Sequence, residues 1–314
     1  MGKAKPMGKE EQEKFNKSET TKSIDPAQFL ISALPIIKSY EEKKIVIKYG
    51  GHVIGNKNLE ALFARDIALL KQIGVEPIVV HGGGPQIDAM IKKMGNEAKF
   101  EAGLRVTDEA TLKIVEMVLC GDINKSLTAL LCSHGAHAVG LSGRDGNMAI
   151  ASKVYKTTIE PETSREIVLD LGLVGEIEEF NTEVIDILLK SYITPVLAPI
   201  ASDAKGCVYN INSDSFAGAL AGAYEAERLI FLTDAPGVLD ANNNLIRELT
   251  VSKARQLIQE RVITGGMLPK VENCIKAVEA GVKGVVILDG KRPHAIFYEL
   301  FTSEGIGTLI VADK

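Results

Sequence analysis

The sequence predicts an α/β protein built on an open, mostly parallel central sheet with helices on both faces. From Ile45 onward, short β-branched runs alternate with helical stretches, the pattern of a parallel sheet covered on both sides. The glycine-containing segments around Lys48, Gly83 and Lys270 fall at or beyond element ends. Right-handed crossovers gather strand C-termini along one edge, where open α/β sheets bind ligands. A chain of 314 residues that is 46% hydrophobic and 25% charged has material for a large core, in one domain or two.

Taken in order, residues 1–24 are almost all charged or polar and lack periodicity, which predicts a disordered leader. Without an apolar segment it does not read as a secretion signal. Asp25-Pro26 starts a helix over 25–40, with Asp as cap and Pro at the first helical position. Its stripe of Phe29, Leu30, Ala33, Leu34 and Ile37 packs either on the chain's own core or on another subunit. Strands follow at 44–48, 77–80, 138–141, 195–199, 229–232 and 284–288, separated by helices at 59–73, 86–94, 108–119, 181–190, 215–223 and 270–280. Residues 153–178, rich in Thr, Glu and Gly with alternating apolar positions, read as a hairpin excursion, either a lid or a plain surface insertion.

Composition narrows the chemistry. A net charge of -5 argues against a broad basic surface for nucleic acid, so an anionic ligand must be met by local positive charge. Cys120, Cys132, Cys207 and Cys274 show no Cys-x-x-Cys spacing and are expected to be reduced, mostly buried thiols of a cytoplasmic protein, with no metal site of their own. No apolar run reaches the ~18 residues that would suggest a membrane span.

Three segments offer positive charge or bare backbone N–H groups to one anion: Lys48-Tyr49-Gly50-Gly51, His81-Gly82-Gly83-Gly84-Pro85, and Thr264-Gly265-Gly266-Met267-Leu268-Pro269-Lys270. This is a layout for phosphoryl transfer. The triple glycine stands between a strand and a helix, so its N–H groups and the helix N-terminus can receive an anion. A P-loop is absent, because the stretch from Gly50 to Gly55 continues with Asn56; a dinucleotide fingerprint fails because its last glycine would fall at Ile87. The H-R-D and D-F-G set of protein kinases is missing as well. Asn210, Asn212 and Asp214 alternate, which places them on one side of an extended stretch lining a cleft, although Asp214 is also suited to cap the next helix. Arg105, just before Thr107-Asp108 at a helix start, is either a solvated surface residue or a fork for a carboxylate.

Together with Val139 to Gly146 and Leu232 to Leu239, these segments resemble the amino-acid kinase family, over almost the entire chain from Asp25 to Ile310. The resemblance implies a three-layer αβα sandwich of two lobes. Residues 41–206 would bind N-acetyl-L-glutamate, and residues 207–314 would bind ATP with Mg²⁺. The implied reaction phosphorylates the side-chain carboxylate, a step in arginine biosynthesis. By the same resemblance Lys48 and Lys270 stabilise the transferring phosphoryl group and Asp214 orients both. Gly83, Gly84, Arg105 and Asn210 hold the acceptor, while Gly50, Gly51, Thr233, Asp234, Gly265, Gly266 and Met267 hold the nucleotide. The two lysines, one from each lobe, are expected to meet only when the lobes approach. The stretch from Glu299 to Leu309 resembles that of arginine-inhibited members, which implies L-arginine as effector at Glu299 and Gly305. In those members a helix like 25–40 interlaces dimers into a homohexamer. Val286 departs from the pattern, standing where some of them carry His. The competing readings are a relative acting on glutamate, aspartate or carbamate, and an inactive arginine-sensing or partner-binding protein.

Overall fold

The computed structural model describes residues 26–50, 54–101, 103–159, 166–302 and 305–313. Two compact units divide after Ser39. In the first, the described part is helix α1 (Pro26–Ser39); the expected leader lies outside the described residues.

The second unit, 40–314, is built on one eight-stranded sheet. From edge to edge its strands are β12 (Glu248–Thr250), β14 (Thr308–Val311), β13 (Val285–Asp289), β11 (Arg228–Thr233), β1 (Lys44–Tyr49), β2 (Glu76–His81), β8 (Thr194–Ala198) and β5 (Ala138–Ser142). Neighbours run parallel except β13 with β14. Successive side chains of a strand point to opposite faces, and both faces here are apolar. Val46, Ile78, Val80, Leu229 and Phe231 pack under α6 (Glu183–Lys190), α7 (Ser213–Ala223), α8 (Val251–Gln259) and α9 (Met267–Glu279). Ile45, Ile47, Val79, Ile230 and Val286 pack under α2 (Lys57–Gln72), α5 (Asn124–Ser133) and α10 (Ala295–Phe301). The result is the expected αβα sandwich, in which β1 and β2 are buried almost throughout. Val286 is a core residue of the sheet.

A third core lies at one end of the sheet, where α3 (Gly84–Lys93) and α4 (Glu109–Glu116) pack with Ala198 and Ile200. The helix expected over 108–119 does not stop there. α4 runs through a π-helical turn, Met117–Ile123, into α5, so one helical run continues to Ser133. The hairpin expected at 153–178 is not a simple excursion either. β6 (Ala149–Ile159) and β7 (Glu166–Phe180) close a small barrel with β9 (Ile200–Ser202) and β10 (Val208–Ile211), and Ala149, Ala151, Leu171 and Val174 are buried in it. A two-stranded ribbon, β3 (Phe100–Glu101) with β4 (Leu104–Arg105), stands nearby. Of the four cysteines, all free, only Cys274 is fully buried; Cys132 and Cys207 are exposed, contrary to the expectation of mostly buried thiols.

A buried hydroxyl fastens β14 to the segment 238–246 that leads from β11 to β12. Thr308, fully buried, donates to Ile246 O at 2.6 Å and accepts from Val238 N at 2.8 Å. Thr308→Val keeps the shape and strands both backbone groups, each at a cost of about 1–3 kcal/mol. Chemical denaturation is therefore expected to show a loss of roughly 2–6 kcal/mol, against the near-neutral change that a solvated hydroxyl would give.

Candidate active site

Lys48 is the penultimate residue of β1, near the middle of the sheet, and its side chain is 11% exposed. Lys270 lies in the first turn of α9 and is 16% exposed. Both reach one carboxylate on α7: Lys48 Nζ is 3.0 Å from Asp214 Oδ1, and Lys270 Nζ donates to Asp214 Oδ2 at 2.6 Å. Burial alone would raise the Asp214 carboxyl, but the two ammonium groups outweigh it and hold it at about 2. In this structure the two lysines, one expected from each lobe, both contact the same carboxylate. Asp214 is also not on an extended stretch. The chain turns helical at Ser213, and the helix cap is Asn212, whose Oδ1 accepts from the backbone N–H of Asp214 and Ser215. Capping therefore explains Asn212 and leaves Asp214 free to bind lysines.

Gly50 follows because the Lys48 side chain folds back over it. A Cβ at Gly50 would lie 2.6 Å from Lys48 Nζ, so any side chain there displaces the ammonium. At the neighbouring strand end Gly83 caps α3, and a Cβ there would meet Ile123 Cδ1 at 2.3 Å and Leu119 Cδ2 at 2.8 Å, both from the π-helical turn. Gly84 faces open space. Among the described residues, no protein acceptor takes the N–H of Gly83 or Gly84, and the helix dipole adds positive potential at both.

Arg105 is buried, forks onto Asp88 with one nitrogen, reaches Gly84 O with another at 3.4 Å, and lies 4.6 Å from the Phe100 ring. It is not a solvated surface residue. Asn210 Nδ2 donates to Thr107 Oγ1 at 3.3 Å. Gly83, Gly84, Arg105 and Asn210 line one cavity of about 150 Å³. A larger cleft of about 690 Å³ is lined by Asp214, Lys270 and Gly266. The two spaces share Gly103, Leu104, Val174 and Asn212 as walls, so they adjoin beside the lysine pair.

Residues 43–289 match the model of the amino acid kinase family. The chain belongs to the amino acid kinase family. It is 60% identical to an acetylglutamate kinase of Agrobacterium fabrum over 285 residues, covering 91% of this chain and 97% of that protein. It is 57% identical to an acetylglutamate kinase of Rhizobium johnstonii, covering 93% and 99%. Among solved structures, N-acetylglutamate synthase from Neisseria gonorrhoeae, complexed with coenzyme A and N-acetyl-glutamate, superposes with a TM-score of 0.78 at 25% identity. That match covers 92% of this chain but 64% of the synthase, which is therefore the longer protein. Carbamate kinase from Giardia lamblia bound to AMP-PNP shares the fold, with a TM-score of 0.60, 17% identity, and coverage of 87% and 99%.

Within this family member, the residues expected to hold nucleotide are dispersed. Gly50 sits beside Lys48, and Gly51 lies outside the described residues. Gly265, at φ +56°, and Gly266 face open space before α9, but only Gly266 lines the large cleft; Met267 opens the helix. Thr233 ends β11 and donates to Asp234 Oδ1 at 3.2 Å; neither lines the two cavities. Glu299 and Gly305 are brought together elsewhere: Glu299 Oε2 accepts from Ile306 N and Gly307 N, and a Cβ at Gly305 would approach it to 2.9 Å. Among the described residues no group of three His, Cys, Asp or Glu side chains is arranged to hold a metal ion. Asp88, Thr107 and Asn124 are neighbours that the sequence reading passed over. Of these, only Thr107 carried a local signal, as a residue at a helix start.

The lysine pair gives Asp214 a testable pH signature. Its folded pKa is lowered, so its contribution to stability is present above the unfolded carboxyl's pKa and is lost as pH falls through the folded value. Asp214→Asn is expected to be less stable than the parent at pH 7, with the gap narrowing by about 2 kcal/mol between pH 4 and pH 2. Parallel urea titrations would read the difference; a gap independent of pH would contradict the ion-pair assignment.

Proposed function

We propose that this protein transfers the γ-phosphoryl group of ATP to the side-chain carboxylate of N-acetyl-L-glutamate, a step of arginine biosynthesis. The observation that carries this is the convergence of two ammonium groups on one largely buried carboxylate that lines the larger of two adjoining cavities. A carboxylate acceptor, with a reference pKa of about 4.3, is already ionised at neutral pH, so no general base is needed. The obstacle is repulsion between an anionic nucleophile and an anionic phosphoryl group, which positioning and positive charge must overcome. In this reading Lys48 and Lys270 spread the developing charge and Asp214 fixes both ammonium groups. Gly83 and Gly84 donate backbone N–H groups, while Arg105 and Asn210 hold the acceptor in the smaller cavity.

The larger cleft suits the nucleotide. Gly266 and Lys270 line it, and we assign Gly50, Gly51, Thr233, Asp234, Gly265, Gly266 and Met267 to ATP. Mg²⁺ bound on phosphate oxygens would supply further charge neutralisation. The described residues offer no group of three His, Cys, Asp or Glu side chains to cage it.

The same reading makes residues 41–206 the acceptor lobe and 207–314 the nucleotide lobe of a cytoplasmic enzyme. It makes 25–40 an oligomerisation helix of a homohexamer, supported by the exposure of Ile31 and Leu34 on α1. L-Arginine is the proposed allosteric inhibitor at Glu299 and Gly305. The support is the adjacency of those two residues and the fold shared with the Neisseria synthase, also solved with coenzyme A and L-arginine.

A coupled ADP-release assay comparing N-acetyl-L-glutamate with glutamate, aspartate and carbamate is expected to give efficient turnover with the acetylated acceptor alone. Turnover with another acceptor, or with none, would reject the proposal. Lys270→Ala is expected to lower kcat by about 10²–10³-fold while changing acceptor KM far less, by analogy with loss of one transition-state donor.

A further inference from the structure

We propose that His81 and Asn124 are positioning residues that fix the direction of the Gly83 N–H, through a single tautomer of the buried imidazole. The inference deepens the phosphoryl-transfer reading and rests on it for its kinetic consequence. It concerns two fully buried polar side chains, 43 residues apart, to which that reading gives no role.

Connectivity fixes the tautomer. Asn124 Nδ2 lies 2.9 Å from Val196 O, 3.3 Å from Leu141 O and 3.1 Å from His81 Nε2. Carbonyl oxygens only accept, so the NH₂ end of the amide must face this side. Its Oδ1 is matched by the Lys125 ammonium at 3.1 Å, itself anchored to Gly140 O at 2.7 Å. His81 Nε2 therefore accepts, and the one proton of the neutral ring sits on Nδ1. That nitrogen lies 3.0 Å from Gly82 O and donates to it. Burial pushes the ring's pKa down, to about 4; the Gly82 carbonyl opposes the shift and Lys125 adds to it, so the ring is neutral at pH 7.

The Gly82 carbonyl and the Gly83 N–H belong to one planar trans peptide and point in opposite directions. Holding the oxygen on the imidazole turns the N–H away from His81. Gly83 lines the cavity it shares with Gly84, Arg105 and Asn210, and the proposal directs its N–H there. The preceding peptide is locked as well, since Gly82 N donates to Tyr49 O at 2.8 Å, next to Lys48. The π-helical turn serves both ends of the device. Leu119 and Ile123 close against Gly83, and Asn124 follows immediately with the amide. A regular helix would rotate one of these groups away, and π-bulges recur at functional sites for such reasons.

The test separates the geometry from the chemistry. In full-length protein labelled with ¹⁵N-histidine, long-range ¹H–¹⁵N correlation, with His81 assigned by its loss in His81→Asn, is expected to show a neutral Nδ1–H ring at pH 7. An Nε2–H ring or an imidazolium would overturn the proposal, and assignment by elimination, substituting His52, His134, His137 and His294 in turn, keeps this readout independent of whether a His81 variant folds. The kinetic arm uses two amides. Asn at 81 carries its nitrogen close to the Nδ1 position and keeps the bond to Gly82 O, whereas Gln reaches only the Nε2 position. His81→Gln is expected to lose about 10²-fold in kcat, as for one misaimed donor, and His81→Asn to recover most of that loss. If kcat instead follows the melting temperatures of the two variants, the residues are structural and the proposal fails. If the parent shows no turnover with N-acetyl-L-glutamate, the functional reading falls while the tautomer still decides the geometry.

Discussion

One carboxylate holding two ammonium groups is the constraint on which the rest of this molecule depends. An isolated buried charge is expensive, and removing one partner from a buried pair costs about 3–5 kcal/mol. Asp214 is tolerated because both its oxygens are matched, at 3.0 and 2.6 Å. The three groups lie on β1, α7 and α9, so the ion cluster also fixes a central strand against two helices of one layer. Its net charge is positive, which is what an incoming phosphoryl group and carboxylate require. Donors held in place by ion pairs of this kind need little reorganisation during a reaction.

Close approach, more than glycine flexibility, explains the glycines nearest this cluster. Gly50 leaves room for the Lys48 ammonium and Gly83 for two side chains of the π-helical turn. Gly50 places bare backbone beside the charged centre and Gly83 places it beside the small cavity, where N–H groups act as fixed dipoles. Arg105 is different: its guanidinium is occupied by Asp88 and Gly84 O, so an acceptor carboxylate must share or replace those partners. Specificity among acceptors then depends on the small cavity. The fold alone does not set it, since a carbamate kinase shares the architecture at 17% identity.

Much of this was legible in the sequence, because the signals were local. Strand and helix periods gave the central sheet and its layers, and glycines beside lysines marked the site. What escaped involved partners distant in sequence or a change of local geometry. Asp88 pairs with Arg105 across 17 residues and Asn124 with His81 across 43, with nothing in either neighbourhood to announce the partner. Polar alternation continues past Asn212 to Asp214 and so mimics an extended stretch, although the chain turns helical at Ser213. The helix expected to end near Leu119 continues to Ser133, since a π-helical turn carries the run onward without a break. The barrel formed by β6, β7, β9 and β10 depends on pairings that hairpin periodicity alone does not specify.

In the proposed reaction Asp214 and Lys270 act as one unit. A kinetic double-mutant cycle measures this most directly, with kcat for N-acetyl-L-glutamate phosphorylation determined for Asp214→Ala, Lys270→Ala and the pair. Residues acting as a unit lose activity non-additively, so the double variant is expected to be no slower than Asp214→Ala by more than a few-fold. Losses that multiply, as for independent groups, would contradict the account.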